Sequence, residues 1–119
     1  MNSCVFLDRD GVINKDNPNY TFRIEDFKIL PGVIDALMQL KSKGYLLVVV
    51  TNQSGIAQGF YSQQQMEECH QYFQHQNGNL IDHFYFSPCF NSTKFCAVRF
   101  RLLAAAVLCK QHTLKRQYA

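Results

Sequence analysis

No acidic residue follows Asp82 in this chain of 119 residues, and this absence divides the sequence into two unlike parts. Residues 1–82 contain nine acidic and six basic residues, whereas residues 83–119 contain six basic residues and no acid. Such a basic segment could be an arm that binds nucleic acid, but its charges are spread among phenylalanine, valine, leucine and cysteine. We therefore favour a different origin for the last third of the chain.

The sequence also lacks a long apolar run, a secretory signal and regularly spaced cysteines. Its longest apolar run, at 102–109, has eight residues and is too short to span a bilayer. Five cysteines without regular spacing fit a reducing compartment better than a disulfide framework. With 47% hydrophobic and 18% charged residues, the composition predicts one globular, cytoplasmic domain that binds neither membrane nor nucleic acid.

Strand and helix patterns alternate along the first part of the chain. Short apolar runs rich in strand-forming residues occur at 5–7, 45–50 and 80–86, and helical patterns occur at 31–43 and 62–76. The run at 45–50 shows no alternation, so it predicts a strand that is buried on both faces. The order of these elements predicts an α/β fold, in which parallel strands are joined by right-handed crossovers through flanking helices.

Two aspartates, Asp8 and Asp10, directly follow the first predicted strand, and Gly11 comes next. Ligands of open parallel sheets bind at the carboxyl ends of the strands, where loops from neighbouring strands meet. Two carboxylates so close repel each other unless a cation such as Mg²⁺ lies between them. Asp8 could then attack phosphorus while Asp10 moves the proton, and Gly11 would let the backbone approach a phosphate. The alternative is an Asx turn with two solvated carboxylates.

A second polar loop follows the second predicted strand and begins at Thr51. A threonine hydroxyl with neighbouring N–H groups could hold a phosphate oxygen, or the loop could form its own turn hydrogen bonds. His70 and His75 lie in a glutamine-rich helix, where we expect both to be exposed. Cys4 and Cys69 are expected to be small buried residues.

Three motifs in this part of the chain resemble the haloacid dehalogenase-like (HAD) phosphatases. They are FLDRDGVIN at 6–14, LPGVIDALMQLKSKGY at 30–45 and LVVVTNQSGIAQG at 47–59. Within the HAD family they match the branch of heptose 1,7-bisphosphate phosphatases and histidinol-phosphatases. The resemblance implies a Rossmann-like sheet and Mg²⁺-dependent hydrolysis of a small phosphorylated metabolite. The expected substrate is a heptose 1,7-bisphosphate, with histidinol phosphate as the alternative.

The same resemblance assigns roles to individual residues. Asp8 would be the nucleophile and the first Mg²⁺ ligand. Asp10 would be the general acid/base and would also give the metal its backbone carbonyl. Contacts with the substrate or its phosphate would come from Gly11, Asp16, Tyr20, Thr51, Asn52, Gln53, Ser54 and Arg99.

The last third of the chain departs from the pattern of the family. Arg99 matches a substrate-binding arginine, but Phe100 stands where the family has a lysine that neutralises the phosphate. Two of the four zinc-ligand positions of one subgroup are lost, so we expect no zinc site and instead free thiols. The cysteines concerned are Cys89, Cys96 and Cys109.

The acids that complete the Mg²⁺ site in the family also have no counterpart after Asp82. We interpret residues 1–88 as the first part of a HAD-like phosphatase whose sheet is incomplete at its C-terminal end. Residues 89–119 are interpreted as a divergent or frame-shifted tail. This interpretation predicts activity far below that of an intact family member, or an inactive fragment that binds phosphate weakly, and it leaves the oligomeric state open.

Overall fold

A computed structural model describes residues 3–88, which form a three-stranded parallel sheet with two α-helices. The elements are β1 (Cys4–Leu7), α1 (Val33–Ser42), β2 (Leu46–Asn52), α2 (Gln63–Asn77) and β3 (His83–Ser87), with a 3₁₀ turn at Ile24–Asp26. The strands lie in the order β1-β2-β3, with Val5 opposite Leu47 and Val50 opposite Tyr85. The predicted α/β fold is confirmed. The predicted tail at 89–119 lies outside the described residues.

One hydrophobic core lies between the sheet and both helices. Its fully buried members are Ile13, Phe27, Leu37, Leu47, Val49, Cys69, Phe73 and Ile81. Successive strand residues point to opposite faces, so Leu47 and Val49 face this core while Val48, only 1% exposed, faces the other side. The prediction that the second strand is buried on both faces is therefore confirmed for its central residues.

The ends of the helices follow local chemistry. The Ser62 hydroxyl accepts a hydrogen bond from the Gln65 N–H, and the Gln65 side chain accepts one from the Ser62 N–H, which together form a capping box. Gly78 ends α2 in the left-handed conformation, with φ 74°. The helical pattern predicted a start of α1 at Pro31, two residues too early. The helix begins at Val33, because Gly32 (φ 81°) is its N-cap and Pro31 precedes it.

The third strand begins later than the sequence pattern predicts. Residues 80–82 were expected in the strand, but the Gln74 side chain of α2 holds this segment through two hydrogen bonds to the backbone of Ile81, at 2.7 and 3.2 Å. The Asp82 carboxylate accepts from the Leu47 N–H and pairs with Lys41. The Asp82 N–H still donates to the Leu47 carbonyl at 2.8 Å, but at Ile81 the Gln74 side chain takes the place of strand pairing, and β3 starts at His83.

Within residues 3–88, no helix is long and apolar enough to cross a membrane.

Candidate active site

The loops after β1 and β2 meet at the carboxyl end of the sheet. Asp10 lies three residues beyond β1, and Gln53 directly follows β2. The second loop was predicted to begin at Thr51, but Thr51 and Asn52 pair with β3 and are the last residues of β2. Since β1 and β2 are parallel neighbours, the two side chains come together, and Gln53 Nε2 donates to Asp10 Oδ2 at 3.0 Å. The predicted convergence of the two loops is confirmed. We call residues 8–21 and 51–61 together the mouth.

A tight turn directs the first loop. The Arg9 carbonyl accepts from the N–H groups of Val12, Ile13 and Asn14, at 2.8–3.2 Å. Gly11 has φ 85°, a conformation that suits glycine, and its N–H donates to the Asn14 carbonyl at 2.8 Å. The N–H of Gly11 therefore serves the turn, although we had expected the backbone here to approach a phosphate.

The Asp10 carboxylate is held by donors on both oxygens. Oδ1 accepts from Arg9 Nη2 at 2.9 Å, Arg9 Nε at 3.2 Å and Asn14 Nδ2 at 3.0 Å, and Oδ2 accepts from Gln53 Nε2. The side chain is 27% exposed, so it still reaches solvent. A carboxylate with this many donors has one orientation, as a group that transfers protons to a bound substrate requires.

Arg9 was not singled out from the sequence, yet it is the largest fully buried side chain, at 1% exposure. Besides Asp10, its guanidinium donates to the Thr21 carbonyl at 2.7 Å and lies 5.6 Å from the centre of the Phe27 ring. No local pattern marks Arg9 as buried, because its partners Thr21 and Phe27 lie far along the chain. A buried guanidinium is tolerated because it is paired and hydrogen-bonded.

His70 is buried, which corrects the expectation that it would be exposed on α2. It is 6% exposed, its ring stacks on Phe84 at 4.6 Å, and its Nε2 lies 3.4 Å from Arg9 Nη1. Burial, reinforced by the Arg9 charge, lowers the pKa of His70 to about 3. Because a guanidinium has only donors, the neutral imidazole accepts through Nε2.

The sequence does contain a signal for the burial of His70. Met66, Cys69, His70 and Phe73 follow the spacing of one helical face, and all four are buried. The many glutamines of the helix obscured this stripe. His75 lies off the stripe and is exposed as predicted.

The second loop is ordered by a buried chain of polar groups. Gln53 Nε2 also donates to Thr51 Oγ1 at 2.8 Å, and the Tyr61 hydroxyl donates to Gln53 Oε1 at 2.5 Å. Burial is the main cause that raises the pKa of Tyr61 to about 12, so the hydroxyl keeps its proton at neutral pH. The Tyr61 ring packs against Gly55, where an added Cβ would lie 2.2 Å from Cε1. Glycine at this position is what allows the ring to approach.

A cavity of about 190 Å³ opens beside Asp10. Its lining is Arg9, Asp10, Asp16, Asn17, Tyr20, Thr21, Asn52, Gln53 and Tyr61. Of the residues expected to contact substrate, Asp16, Tyr20, Asn52 and Gln53 are thus brought together, whereas Thr51 is buried beneath them at 1% exposure and Ser54 does not line the cavity. Arg99 lies outside the described residues.

Tyr20 connects the two loops at the rim of this cavity. It adopts φ 65°, its hydroxyl accepts from Gln58 Nε2 at 2.8 Å, and its ring stacks on Phe60 at 5.5 Å. Phe60 is 59% exposed, so the rim presents an aromatic surface to solvent. These contacts hold the first loop against the second.

Asp8 lies directly after β1 and is exposed, and its Oδ1 accepts from the Arg9 N–H at 2.7 Å. Within residues 3–88, no cluster of three or more histidine, cysteine or acidic side chains could hold a metal. Mg²⁺ is commonly held by one or two carboxylates together with waters and substrate phosphate. The donors on Asp10 occupy its carboxylate, so the carboxylate that suits such an ion is that of Asp8.

Comparison with known proteins agrees with this geometry. The family described as polynucleotide kinase 3 phosphatase matches residues 3–89. The chain belongs to this family. A D-glycero-beta-D-manno-heptose-1,7-bisphosphate 7-phosphatase of Haemophilus ducreyi is 47% identical over 88 residues, which are 71% of this chain and 48% of that protein. The protein of the same name from Haemophilus influenzae is 57% identical over 65 residues, or 55% of this chain and 35% of the relative.

Two solved structures are also similar to this chain. The D,D-heptose 1,7-bisphosphate phosphatase of B. bronchiseptica, complexed with magnesium and phosphate, has a TM-score of 0.70 and 27% identity. The match covers 73% of this chain and 50% of that one. The corresponding enzyme of Burkholderia thailandensis has a TM-score of 0.52 and 32% identity, covering 71% and 50%. The predicted resemblance to HAD-like phosphatases is confirmed, and the chain spans about half the length of the relatives it matches.

Several site predictions for this family member concern residues that the structure does not describe. Phe100, at the position of the family lysine, and the cysteines Cys89, Cys96 and Cys109 lie outside residues 3–88. Of the two described cysteines, both free, Cys69 is buried in the core and Cys4 is partly buried. Burial raises the pKa of Cys69 to about 11, so this thiol stays protonated and serves packing, as expected.

Proposed function

We propose that this chain carries the nucleophile-bearing half of a Mg²⁺-dependent phosphatase site, which hydrolyses a phosphomonoester through an aspartyl-phosphate on Asp8. The observation that carries the proposal is the contrast between the two aspartates at the end of β1. Asp8 is exposed and available to attack, whereas the Asp10 carboxylate is held by donors on both oxygens beside a cavity.

These two residues divide the chemistry between them. A carboxylate oxygen of Asp8 attacks phosphorus and forms a P–O bond, while the bond from phosphorus to the ester oxygen breaks. Asp10 gives its proton to that leaving oxygen, which departs as an alcohol. The Asp10 carboxylate then takes a proton from a water that attacks the phosphorus of the aspartyl-phosphate. Inorganic phosphate leaves, and both aspartates return to their starting states.

The remaining residues of the mouth would position the substrate. Asn52 and Tyr20 line the cavity and offer an amide and a phenol to its polar groups. Asp16 supplies a carboxylate that can accept from sugar hydroxyls, and its Oδ1 already accepts from the Asn17 N–H. When bound at Asp8, Mg²⁺ would neutralise charge on the phosphoryl oxygens during transfer.

We propose a heptose 1,7-bisphosphate as the substrate. The proposal is supported by the names of the relatives and by a cavity whose lining is mostly hydrogen-bonding groups, as a hydroxyl-rich sugar requires. Histidinol phosphate is the alternative within the resemblance. A second candidate function is phosphate binding without turnover, which is favoured by the absence of acidic residues at 83–119.

Phosphate release by the full 119-residue chain tests the proposal. We expect Mg²⁺-dependent release from heptose 1,7-bisphosphate, at a higher rate than from histidinol phosphate, and complete loss of release in Asp8→Asn. Asp35→Asn is the matched control, because Asp35 is an exposed acid on α1, and it should behave as the unmodified chain. Release that survives in Asp8→Asn would contradict the assignment of the nucleophile. Phosphate binding without release would favour the second candidate.

A further inference from the structure

We propose that Arg9 is the positioning residue of the site and fixes the orientation in which Asp10 transfers its proton. The proposal rests on the proposed function, because it assigns Asp10 the proton transfer. It goes further in naming a residue that touches no substrate and acts through Asp10. The observation behind it is a fully buried guanidinium that contacts one carboxylate oxygen through two nitrogens.

The contact between the two side chains determines the plane of the carboxylate. Arg9 Nε and Nη2 lie 3.2 and 2.9 Å from the same oxygen, Oδ1 of Asp10. Asn14 Nδ2 adds a third donor at 3.0 Å, so Oδ1 is directed into the protein. Oδ2 is thereby the oxygen on the side of Gln53, and rotation of the carboxyl group would break several charge-assisted bonds.

Arg9 can hold Asp10 in one orientation because three further contacts fix the position of its own guanidinium. Nη2 donates to the Thr21 carbonyl, Nη1 faces the neutral His70 at 3.4 Å, and the group lies over the Phe27 ring. With 1% exposure, the side chain is too deeply buried to receive a phosphate itself. Its influence on a reaction must therefore pass through Asp10.

A dependence on the leaving group distinguishes this role from a merely structural one. An alkyl phosphate needs a proton on its departing oxygen, whereas an aryl phosphate departs readily without one. The test variant is Arg9→Lys, assayed in the full chain with Mg²⁺. Lysine keeps the positive charge but cannot contact Asp10 Oδ1 through two nitrogens at once. We expect the variant to reduce kcat on the alkyl phosphate at least about tenfold more than on the aryl phosphate, since general acid catalysis contributes 10²–10⁴-fold. Equal losses on both substrates would overturn the proposal.

Two further variants complete this measurement. Arg23→Lys is the matched control, because Arg23 is exposed and outside the mouth, and both rates should stay unchanged. In an Asp10→Asn background, Arg9→Lys should cause no additional loss on the alkyl phosphate, because the group through which it acts is already removed. A full additional loss there would show that Arg9 acts elsewhere.

A spectroscopic test separates this proposal from the proposed function. If the unmodified chain releases no phosphate from either substrate, the proposed function fails, and the contact itself is then read by NMR of the Arg9 Nε–H group. Asp10→Asn should shift that resonance, whereas Asp16→Asn, in the lining of the same cavity, should leave it in place. An unchanged resonance in Asp10→Asn would overturn the assignment of Arg9 whether or not the chain is active.

Discussion

The mouth and the opposite side of α2 differ in how their polar side chains are hydrogen-bonded. In the mouth, buried Arg9, Thr51 and Gln53 satisfy one another and Asp10 through a continuous set of hydrogen bonds. On the other side, two more open grooves of about 430 and 240 Å³ run along α2 and β3. We call this second region the outer groove, and its lining includes His70, Gln71, Gln74, Phe84 and Phe86.

Even in the mouth two buried atoms, Asn14 Oδ1 and Thr21 Oγ1, have no hydrogen-bond partner among residues 3–88. The mouth is built from the ends of two adjacent strands and the loops that follow them, and its contacts join residues far apart in sequence, such as Asp10 and Gln53. Among residues 3–88, no comparable network of hydrogen bonds lines the outer groove, and aromatic side chains of β3 are partly exposed along it. His70 joins the two regions, because its Nε2 faces Arg9 while its ring lies on Phe84.

Removal of the buried charge should disrupt the mouth most strongly. Arg9→Met leaves the Asp10 carboxylate and the Thr21 carbonyl without their main donor, so we expect the free energy of unfolding to fall by about 3–5 kcal/mol. Arg23→Met is the control, because Arg23 is exposed and its ion pair with Glu25 is long, at 4.0 Å; its effect should stay within about 0.5 kcal/mol. Denaturant unfolding measures both, and similar losses would remove the distinction between the mouth and the surface.

Acid should weaken the junction between the two regions. The folded protein keeps His70 neutral down to a pKa of about 3, whereas the unfolded chain protonates it near its ordinary value of 6.5. The unfolded state therefore binds more protons in this window, so stability falls as pH drops from 6.5 towards 3. This one group should remove about 2.5 kcal/mol between pH 7 and pH 4.5, since each full proton difference is worth about 1.4 kcal/mol per pH unit.

Non-titrating variants isolate the contribution of His70 from that of other groups. His70→Gln should flatten the pH dependence of the free energy of unfolding, whatever its stability at neutral pH. His75→Gln, on the exposed face of the same helix, should leave the dependence as it is. If the two variants show the same slope, the neutral, buried state of His70 next to Arg9 is wrong.

The hydroxyl of Tyr61 should matter less than the Arg9 charge. Tyr61→Phe leaves Gln53 Oε1 buried without its donor, which should cost about 1–3 kcal/mol of unfolding free energy. Tyr45→Phe removes the same atom from a ring that packs at the edge of the core and is the matched control. Thermal unfolding of both variants checks this, and equal small shifts would mean that the buried polar chain contributes little.

The smallest effect is expected at the start of α2. Ser62→Ala removes the hydroxyl that accepts from the Gln65 N–H, so we expect a loss of about 1 kcal/mol. Ser3→Ala, at an exposed serine before β1, should change stability by less than about 0.5 kcal/mol. A loss at Ser62 as large as at Arg9 would show that α2, and not the mouth, limits the stability of the fold.

Much of the fold follows from local sequence. Unbroken apolar runs predicted β1 and β2, the capping box at Ser62 and the glycine at Gly78 set the ends of α2, and parallel strands predicted that two polar loops would meet. The start of β3 could not be predicted, because a distant side chain, Gln74, replaces strand pairing at Ile81. Contacts between side chains that are distant in sequence cannot be predicted from a local sequence pattern.

The two aspartates of the site could be predicted from the sequence, whereas the buried arginine that contacts Asp10 could not. Asp8 and Asp10 stand out as paired carboxylates after a buried strand, and their roles stay predictions until activity is measured. Arg9 stands between them and gave no signal, since its partners Thr21 and His70 lie 12 and 61 residues further along the chain. The interpretation of residues 89–119 as a divergent or frame-shifted tail also stays a prediction. Sequencing of the coding DNA around codons 86–100 tests that interpretation.

The central claim is that Asp8 becomes phosphorylated while Asp10 moves the proton, and trapping of the intermediate tests it directly. The full chain is mixed with Mg²⁺ and an aryl phosphate, quenched in acid, digested and examined by mass spectrometry. Our account predicts the mass gain of one phosphoryl group on the peptide that contains Asp8, with none in Asp8→Asn. Phosphate release without a label on Asp8, or a label that persists in Asp8→Asn, would contradict it.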